Sequence, residues 1–304
     1  MQIGSGSYTY EWIENWAKLP EGIQFGYTHG IAEDSQRRIF VHNASTHSVI
    51  IFDEDGSYLE SWGEEYAAGA HGMLLNREAD GEYLYLAATN QNMVVKTTLY
   101  GKEVLRIETP ELPQIYDTER KFVPTETAVA PNGDIYIADG YGESWVHCYN
   151  ARGEYLFSFG GRGDGEGQLN NPHGIMLDTR GSEPLLVVAD RGNHRLQYFT
   201  LDGKFVKITE GMLRLPCTTE QYEDDLYIPD LHSRLTILDS NDQLITHLGE
   251  RDHGWEIPGW PNIAHDLRQA GNFTSPHDLH VDSRGSIYVA EWISDGRVTK
   301  LVRV

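Results

Sequence analysis

The chain has little cysteine, since only Cys148 and Cys217 occur in 304 residues. Two cysteines make no disulfide framework, so reduced thiols inside a cell are the simpler interpretation. The chain also lacks a run of about 20 apolar residues, which excludes a membrane-spanning helix. Its first residues have neither a basic segment nor an apolar core, unlike a secretory signal peptide. These absences predict a cytoplasmic location.

Basic residues are scarce as well: 24 Lys and Arg stand against 46 Asp and Glu, for a formal charge of −22. Such a surface repels phosphate backbones and anionic lipids, so we expect neither nucleic acid nor membrane as a partner. The acidity fits plain solubility, with cation binding as the alternative. We expect a small-molecule substrate, and nothing in the sequence indicates an oligomeric state.

No helical periodicity persists along the chain, and a unit of short β-strands takes its place. The clearest copy lies in residues 171–205. There Pro172-His173-Gly174-Ile175 opens a strand, Leu185–Ala189 is an apolar run and Leu196–Phe199 alternates. Asp202-Gly203 then forms a tight turn into a fourth strand.

This unit occurs six times. Its copies begin near Thr28, Ala70, Pro124, Pro172, Pro216 and Pro276. A period of about 40–50 residues with four short strands each is typical of propeller blades. The sequence therefore predicts an all-β, six-bladed β-propeller in which residues 1–304 form a single domain.

The sixth copy ends at Val304, directly after its third strand, Val298–Val302. Tyr8–Trp12 near the N-terminus has the aromatic alternation of Tyr155–Phe159, the fourth strand of the fourth copy. We therefore expect the N-terminal strand to complete the last blade, which closes the ring and removes an open sheet edge.

Two connections between copies are unusually long, Glu108–Val123 and Gly249–Ser275. Long ordered loops of this length are usually lids or binding loops. The alternative is a surface decoration that packs its own aromatic side chains.

A ring of equivalent positions at the start of the innermost strands contains several potential metal ligands. The position is held by His29, His71, Thr125, His173, Cys217 and His277. His71, His173 and His277 come from alternate blades, about 120° apart, so their imidazoles would converge on the propeller axis. Three imidazoles with an open fourth position suit Zn²⁺ best, while Mn²⁺ and Fe²⁺ remain compatible. The alternative is that each histidine only packs.

The same segments carry a family resemblance. Ala70-His71-Gly72-Met73, Pro172-His173-Gly174-Ile175 and Pro276-His277-Asp278-Leu279 resemble the zinc-binding segments of peptidyl-α-hydroxyglycine α-amidating lyases, which are six-bladed propellers of the NHL-repeat type. Ala138-Asp139-Gly140-Tyr141 resembles the turn that carries their catalytic tyrosine, and Ala189-Asp190-Arg191-Gly192-Asn193 the turn that carries their catalytic arginine.

The resemblance implies a metal-dependent lyase with a defined set of site residues. Tyr141 would act as the base, since a dication and an arginine nearby would depress the pKa of a phenol. Arg191 would orient the base or stabilise charge, although it could instead serve in an inter-blade ion pair. A structural Ca²⁺ is implied at Asp278 and the carbonyls of Ile31 and Met73. Asp278 could alternatively only cap strand ends.

Two departures from the family put its peptide substrate in question. Residues 41–45 contain no cation to match the family's second arginine, and Gly142 stands where the family has a cysteine. We expect a small polar substrate with hydroxyl or carbonyl groups, a sugar among the candidates. The residues expected to contact it lie at channel-mouth turns: His42, Asn43, Glu126, His232 and Trp292.

Two other functions remain open from the sequence. One is a sugar-lactone hydrolase or isomerase that uses the same metal site. The other is a non-catalytic NHL scaffold that binds a protein or a peptide.

Overall fold

A computed structural model describes all 304 residues, Met1–Val304. The fold is a six-bladed β-propeller, as predicted, built from six antiparallel sheets. None of its helices is long and apolar enough to cross a membrane. The contacts divide the chain into two compact units of three sheets each. One unit comprises residues 1–67 and 220–304, the other residues 68–219. The prediction of a single domain therefore stays a prediction.

The strands follow the order of the six repeats. Two strands precede the first repeat, β1 (Gln2–Ser5) and β2 (Tyr8–Ile13). Sheet one contains β3 (Thr28–Glu33), β4 (Ile39–Asn43), β5 (Val49–Phe52) and β6 (Tyr58–Trp62). Sheet two contains β7 (Ala70–Glu78), β8 (Gly81–Ala88), β9 (Met93–Thr98) and β10 (Glu103–Ile107). Sheet three contains β11 (Glu126–Val129), β12 (Ile135–Ala138), β13 (Trp145–Tyr149) and β14 (Tyr155–Gly160).

The second half of the chain repeats this pattern. Sheet four contains β15 (Pro172–Asp178), β16 (Leu185–Asp190), β17 (Arg195–Phe199) and β18 (Phe205–Glu210). Sheet five contains β19 (Glu220–Tyr222), β20 (Asp225–Asp230), β21 (Arg234–Leu238) and β22 (Leu244–Leu248). Sheet six contains β23 (Pro276–Val281), β24 (Ile287–Glu291) and β25 (Arg297–Arg303). The helices are short 3-10 turns at Glu64–Gly69, Thr89–Gln91, Arg191–Asn193, Gly254–Glu256 and His265–Leu267.

The hydrophobic core lies between neighbouring sheets, and the middle strands are buried on both faces. In β12, Ile135 and Ile137 join the cluster shared with sheet two. Tyr136 and Ala138 point the other way, into the cluster shared with sheet four. Because successive side chains of a strand alternate between its faces, a strand buried on both sides has a continuous apolar sequence. This explains the short apolar runs that mark each repeat.

The N-terminal strand completes the last blade, which confirms that prediction. β2 pairs with β25, with Trp12 opposite Leu301, and the buried Tyr10 and Trp12 join the core cluster of this sheet. The sheet gains one strand beyond the prediction, because β1 pairs with β2 and places Ile3 opposite Tyr10.

Two innermost strands begin later than their sequence anchors indicated. β11 begins at Glu126 instead of near Pro124, and β19 begins at Glu220 instead of near Pro216. In both cases a residue just before the strand has another role, since the carbonyl groups of Thr125 and Cys217 accept hydrogen bonds from histidine side chains.

The connection Glu108–Val123 is not a surface decoration, since Ile115, Tyr116 and Phe122 are buried in the core between sheets two and three. The connection Gly249–Ser275 also reaches the core, where Phe273 packs on Trp12. Both loops are therefore anchored by apolar side chains.

A charged histidine links three innermost strands of the unit formed by residues 1–67 and 220–304. His280 on β23 has its Nδ1 3.0 Å from Glu220 on β19 and its Nε2 3.6 Å from Glu33 on β3. Burial alone would lower the pKa of His280, but the two carboxylates raise it to about 10. The imidazolium therefore joins the inner strands of three blades.

This arrangement predicts a loss of stability in alkaline solution. The folded-state pKa of His280 lies above the value of 6.5 expected in the unfolded chain. Its contribution is therefore complete below about pH 6.5 and is lost as the pH rises through about 10. We expect His280→Gln to lower the free energy of unfolding at pH 6 by roughly 3 kcal/mol, as when a buried ion pair loses one partner.

Urea denaturation between pH 6 and 10.5 measures the effect. The difference between wild type and His280→Gln should shrink with rising pH. The exposed His265 provides the control variant His265→Gln, which should follow the wild type. A difference that stays constant across this range would contradict the prediction.

Candidate functional site

Two of the three ring histidines meet in the unit formed by residues 68–219. His71 begins the innermost strand of sheet two and His173 that of sheet four, and both are buried. Their ring centroids lie 4.7 Å apart. The Nε2 atoms of both rings lie 3.0 Å from the hydroxyl oxygen of Tyr141. The structure therefore brings two predicted metal ligands together with the predicted base.

The other ring nitrogen of each histidine is held by the backbone of the following blade. His71 Nδ1 lies 2.7 Å from the carbonyl oxygen of Thr125, and His173 Nδ1 lies 2.8 Å from that of Cys217. A carbonyl oxygen can only accept, so each Nδ1 carries the hydrogen and donates it. In the neutral imidazole this leaves the lone pair on Nε2, the form that binds metals.

The third histidine, His277, lies in the other unit and is held in the same way. It begins the innermost strand of sheet six, is buried, and its Nδ1 lies 3.2 Å from the carbonyl oxygen of His29. The two rings lie 4.7 Å apart. His71, His173 and His277 thus share one hydrogen bond, from Nδ1 to the carbonyl oxygen of the equivalent residue in the next blade. We call this hydrogen bond the tether.

Glycine makes two of these tethers possible. A Cβ on Gly72 would lie 2.3 Å from the carbonyl oxygen of Thr125, and a Cβ on Gly174 would lie 2.5 Å from that of Cys217. Any side chain at these positions would push away the carbonyl that the preceding histidine binds. The His-Gly pairs in the sequence therefore have a steric cause.

Arg191 contacts both the hydroxyl and the ring of Tyr141. Its Nη2 donates to the Tyr141 hydroxyl at 3.3 Å, and its guanidinium lies 5.4 Å from the ring centroid. Although 42% of Tyr141 is exposed, its oxygen is enclosed by His71, His173 and Arg191. Burial raises the pKa of Tyr141 and Arg191 opposes the rise. Arg191 alone therefore does not depress this pKa, and the predicted depression depends on the dication.

The turn that carries Tyr141 is fixed by Asp139. The Asp139 carboxylate accepts the backbone N–H of Val123 at 2.6 Å and that of Glu143 at 2.7 Å. The Tyr116 hydroxyl donates to it at 2.7 Å. A Cβ on Gly142 would lie 2.0 Å from Asp139 Oδ1, which excludes at this position the cysteine found in the lyase family.

Burial raises the pKa of Asp139 to about 6 and lowers that of the neighbouring His147 to about 3. His147 Nε2 lies 2.6 Å from the Tyr116 hydroxyl, and its Nδ1 lies 2.7 Å from Ser158. This buried polar network connects the loop Glu108–Val123 to the Tyr141 turn. No sequence pattern indicates this network, because its partners are far apart in the chain.

The residues expected to contact substrate have different environments. His42 and Asn43 are completely buried. The Asn43 amide donates to the carbonyls of His47 and Ser48 in its own turn and accepts the backbone N–H of Gly26. These two side chains present no surface to a substrate. Glu126 is also buried, and burial raises its pKa to about 8 although the Thr127 N–H donates to it.

His232 and Trp292 belong to a half-buried aromatic cluster with residues of the loop Gly249–Ser275. His232 stacks on Trp255 with ring centroids 4.9 Å apart and contacts Trp260 edge-on at 5.6 Å. Trp260 in turn contacts Trp292 at 6.5 Å, and Trp292 contacts Tyr27 at 5.4 Å. The loop therefore connects two of the predicted residues, and its aromatic side chains are additional candidates for ligand contact.

The residues predicted for calcium form only part of a site. In the unit formed by residues 1–67 and 220–304, Asp278 accepts the backbone N–H of Ile31 at 3.0 Å and that of Leu279 at 2.8 Å. Met73 lies in the other unit. The carboxylate thus contacts amide hydrogens within its own unit, and calcium binding stays a prediction.

Sequence comparison places the chain near NHL-repeat propellers, although no protein-family profile matches it. Human NHL repeat-containing protein 3 is 28% identical over 289 residues, which cover 91% of this chain and 79% of that protein. Peptidyl-alpha-hydroxyglycine alpha-amidating lyase 1 of Drosophila melanogaster is 27% identical over 270 residues, covering 81% of this chain and 47% of the lyase. The resemblance to NHL-repeat proteins and to these lyases is confirmed, and the chain spans about half of the lyase.

Solved structures support the same fold. A catalytically inactive histidine-to-alanine variant of virginiamycin B lyase from Staphylococcus aureus, crystallised with quinupristin, has a TM-score of 0.62 at 13% identity and matches 97% of this chain and 100% of its own. A gluconolactonase from Xanthomonas campestris has a TM-score of 0.62 at 15% identity, matching 92% of this chain and 86% of its own. At such low identities these likenesses show the fold alone.

The steric role of Gly174 can be tested by metal titration. We expect Gly174→Ala to weaken binding of Zn²⁺ about 10–100-fold, because the new Cβ displaces the carbonyl that orients His173 and such orienting partners have effects of this size. Gly181→Ala is the matched control, since its Cβ would meet no atom closer than 3.5 Å. Unchanged zinc affinity in a folded Gly174→Ala protein would show that the tether does not orient a ligand.

Proposed function

We propose that this chain is a metal-dependent lyase-type enzyme that acts on a small polar substrate. His71, His173 and His277 hold a divalent transition metal, Tyr141 is the catalytic base and Arg191 stabilises charge on it. The observation that carries this proposal is the shared tether. Three histidines at one register each donate Nδ1–H to the backbone of the next blade.

The donor set fits the proposed metal. Neutral imidazoles oriented by backbone carbonyls are typical zinc ligands, and a catalytic zinc site keeps one position open. Mn²⁺ and Fe²⁺ accept the same ligands less selectively. When bound, the metal would act as a Lewis acid that polarises a hydroxyl or carbonyl of the substrate. Relatives named as amidating lyases support this chemistry.

The side chains of the protein would carry out the proton transfer. The Tyr141 oxygen, in its deprotonated form, would take the proton from the substrate hydroxyl as its C–O bond becomes a carbonyl and the neighbouring C–O or C–N bond breaks. The leaving oxygen or nitrogen departs with the electron pair of the broken bond and would receive the proton back from Tyr141. Arg191 donates a hydrogen bond to the same oxygen, which favours the phenolate. Asp139 fixes the backbone on both sides of this turn. The phenol is therefore in position before the substrate binds, so no binding energy is lost in ordering it.

The substrate is proposed to differ from that of the amidating lyases. No cation occurs in residues 41–45 to meet a substrate carboxylate, and both His42 and Asn43 are buried. Glu126, His232 and Trp292 remain the proposed substrate contacts. A carboxyl group with a raised pKa and several aromatic faces suit a neutral molecule with hydroxyl groups.

Metal analysis of the purified protein tests the metal site. We expect about one equivalent of transition metal per chain after dialysis against Zn²⁺, lost in His71→Ala and in His173→Ala because each removes one of three ligands. His265→Ala, on an exposed histidine, should keep the full equivalent. A wild type that folds and binds no metal would favour the non-catalytic scaffold.

Tyr141→Phe separates catalysis from metal binding. The variant should keep its metal, since the phenol is not one of the proposed ligands, while turnover falls about 10²–10⁴-fold with the loss of the base. Glyoxylate release from a peptidyl-α-hydroxyglycine and ring opening of sugar lactones are the two assays. Tyr155→Phe, on an exposed tyrosine of β14, is the control. Full activity in Tyr141→Phe would exclude Tyr141 as the base.

A further inference from the structure

We propose that Cys217 is an additional ligand of the metal, so that the site combines imidazoles with one thiolate. This inference rests on the proposed function, because it assigns a further residue to the same metal. Cys217 occupies the position of sheet five that is equivalent to the histidines of sheets two, four and six. It is completely buried.

The distance between Cys217 and His173 fits two ligands of one ion. Within the unit formed by residues 68–219, the Cys217 sulfur and a ring nitrogen of His173 lie within 4.8 Å of each other. Two ligands of a tetrahedral zinc lie about 3.5 Å apart, given bonds of about 2.0 Å to nitrogen and 2.3 Å to sulfur. Closing the pair onto an ion thus requires a shift of at most about 1.3 Å, which side-chain rotation can supply.

The backbone fixes the thiol and the imidazole together. The carbonyl oxygen of Cys217 accepts the Nδ1–H of His173 at 2.8 Å, so one residue provides both the tether and the sulfur. Movement of the chain at Cys217 would displace both groups. Gly174 allows this approach, because a Cβ there would lie 2.5 Å from the same carbonyl oxygen.

A neighbouring cation would balance the charge of a thiolate. Arg191 Nη1 lies 4.0 Å from the Cys217 sulfur, while Nη2 donates to Tyr141. The guanidinium of an arginine stays charged in proteins. Cysteine binds metals as a thiolate, and a nearby arginine favours that form.

Cys148 provides an internal contrast. It lies in the apolar core between sheets three and four, among residues such as Val188 and Phe199. Burial raises the pKa of Cys148 to about 12, which keeps it a neutral thiol. Of the two cysteines in the chain, Cys217 is therefore the one next to imidazoles and a cation.

A thiolate ligand would narrow the choice of metal. Thiolates favour zinc and other soft ions, while manganese prefers oxygen donors. A site with a thiolate therefore favours Zn²⁺ over Mn²⁺ as the resident ion. Three imidazoles alone are compatible with both ions.

Cobalt substitution tests the proposal by spectroscopy, without an activity assay. Purified chain loaded with Co²⁺ should show visible ligand-field bands and, in addition, a near-ultraviolet thiolate-to-cobalt charge-transfer band. Cys217→Ser should lose the charge-transfer band while keeping the visible bands. Cys148→Ser, the matched control, should keep both. Cys217→Ala provides a second variant if the serine protein does not fold, and the wild-type spectrum is informative alone.

The outcomes separate the two proposals. Visible bands without a charge-transfer band in the wild type would overturn the role of Cys217 and leave the histidine site standing. A charge-transfer band that persists in Cys217→Ser would also overturn it. Wild type that binds no Co²⁺ at all would overturn the metal site and, with it, the ligand role of Cys217.

Discussion

The hydrogen bond from a histidine Nδ1 to the backbone of the next blade is the interaction on which the candidate site depends. It sets the tautomer of each ring and directs Nε2 away from the sheet. It also uses the carbonyl groups of Thr125 and Cys217, two residues that lie just before β11 and β19. Gly72 and Gly174 follow from the same requirement, since a larger residue would separate the blades at this point. The hydrogen bond from histidine Nδ1 thus connects the glycines at positions 72 and 174, the residues just before β11 and β19 and the orientation of the proposed ligands.

Sheet three, which carries Tyr141, differs from sheets four, five and six in how it neutralises a buried acid. In sheets four, five and six the acid at the end of the second strand pairs with an arginine, and these pairs are Asp190–Arg195, Asp230–Arg234 and Glu291–Arg297. In sheet three the acid is Asp139, and it binds Tyr116 and backbone amides instead of an arginine. Without an arginine partner, the free-energy cost of burying the Asp139 carboxylate is higher, and burial raises its pKa. The acid–arginine pair is thus shared by sheets four, five and six, and sheet three holds its buried acid by other partners.

Much of the fold could be predicted, because each repeat contains its own signals. Turn residues and short apolar runs locate the strands, and the aromatic alternation at Tyr8–Trp12 shows how the last blade is completed. The sequence also shows the shared register of the histidines, which His29, Thr125 and Cys217 occupy as well. What could not be predicted are contacts between segments far apart in the sequence. The network of Tyr116, Asp139 and His147 and the stack of His232 on Trp255 are of this kind.

Burial is a property that periodicity alone does not determine. The sequence predicts a channel-mouth turn at residues 41–45, yet β4 is buried along its whole length, and Asn43 binds the backbone of its own turn. An asparagine that satisfies backbone groups in a turn has the same sequence signature as one that binds a ligand. The distinction depends on whether the amide has local partners, and Asn43 has them. The histidines differ in this respect, because the backbone takes Nδ1 while the Nε2 atoms of His71 and His173 contact the Tyr141 hydroxyl. Polar side chains that contact another candidate residue of the site are therefore the stronger candidates for function in this propeller.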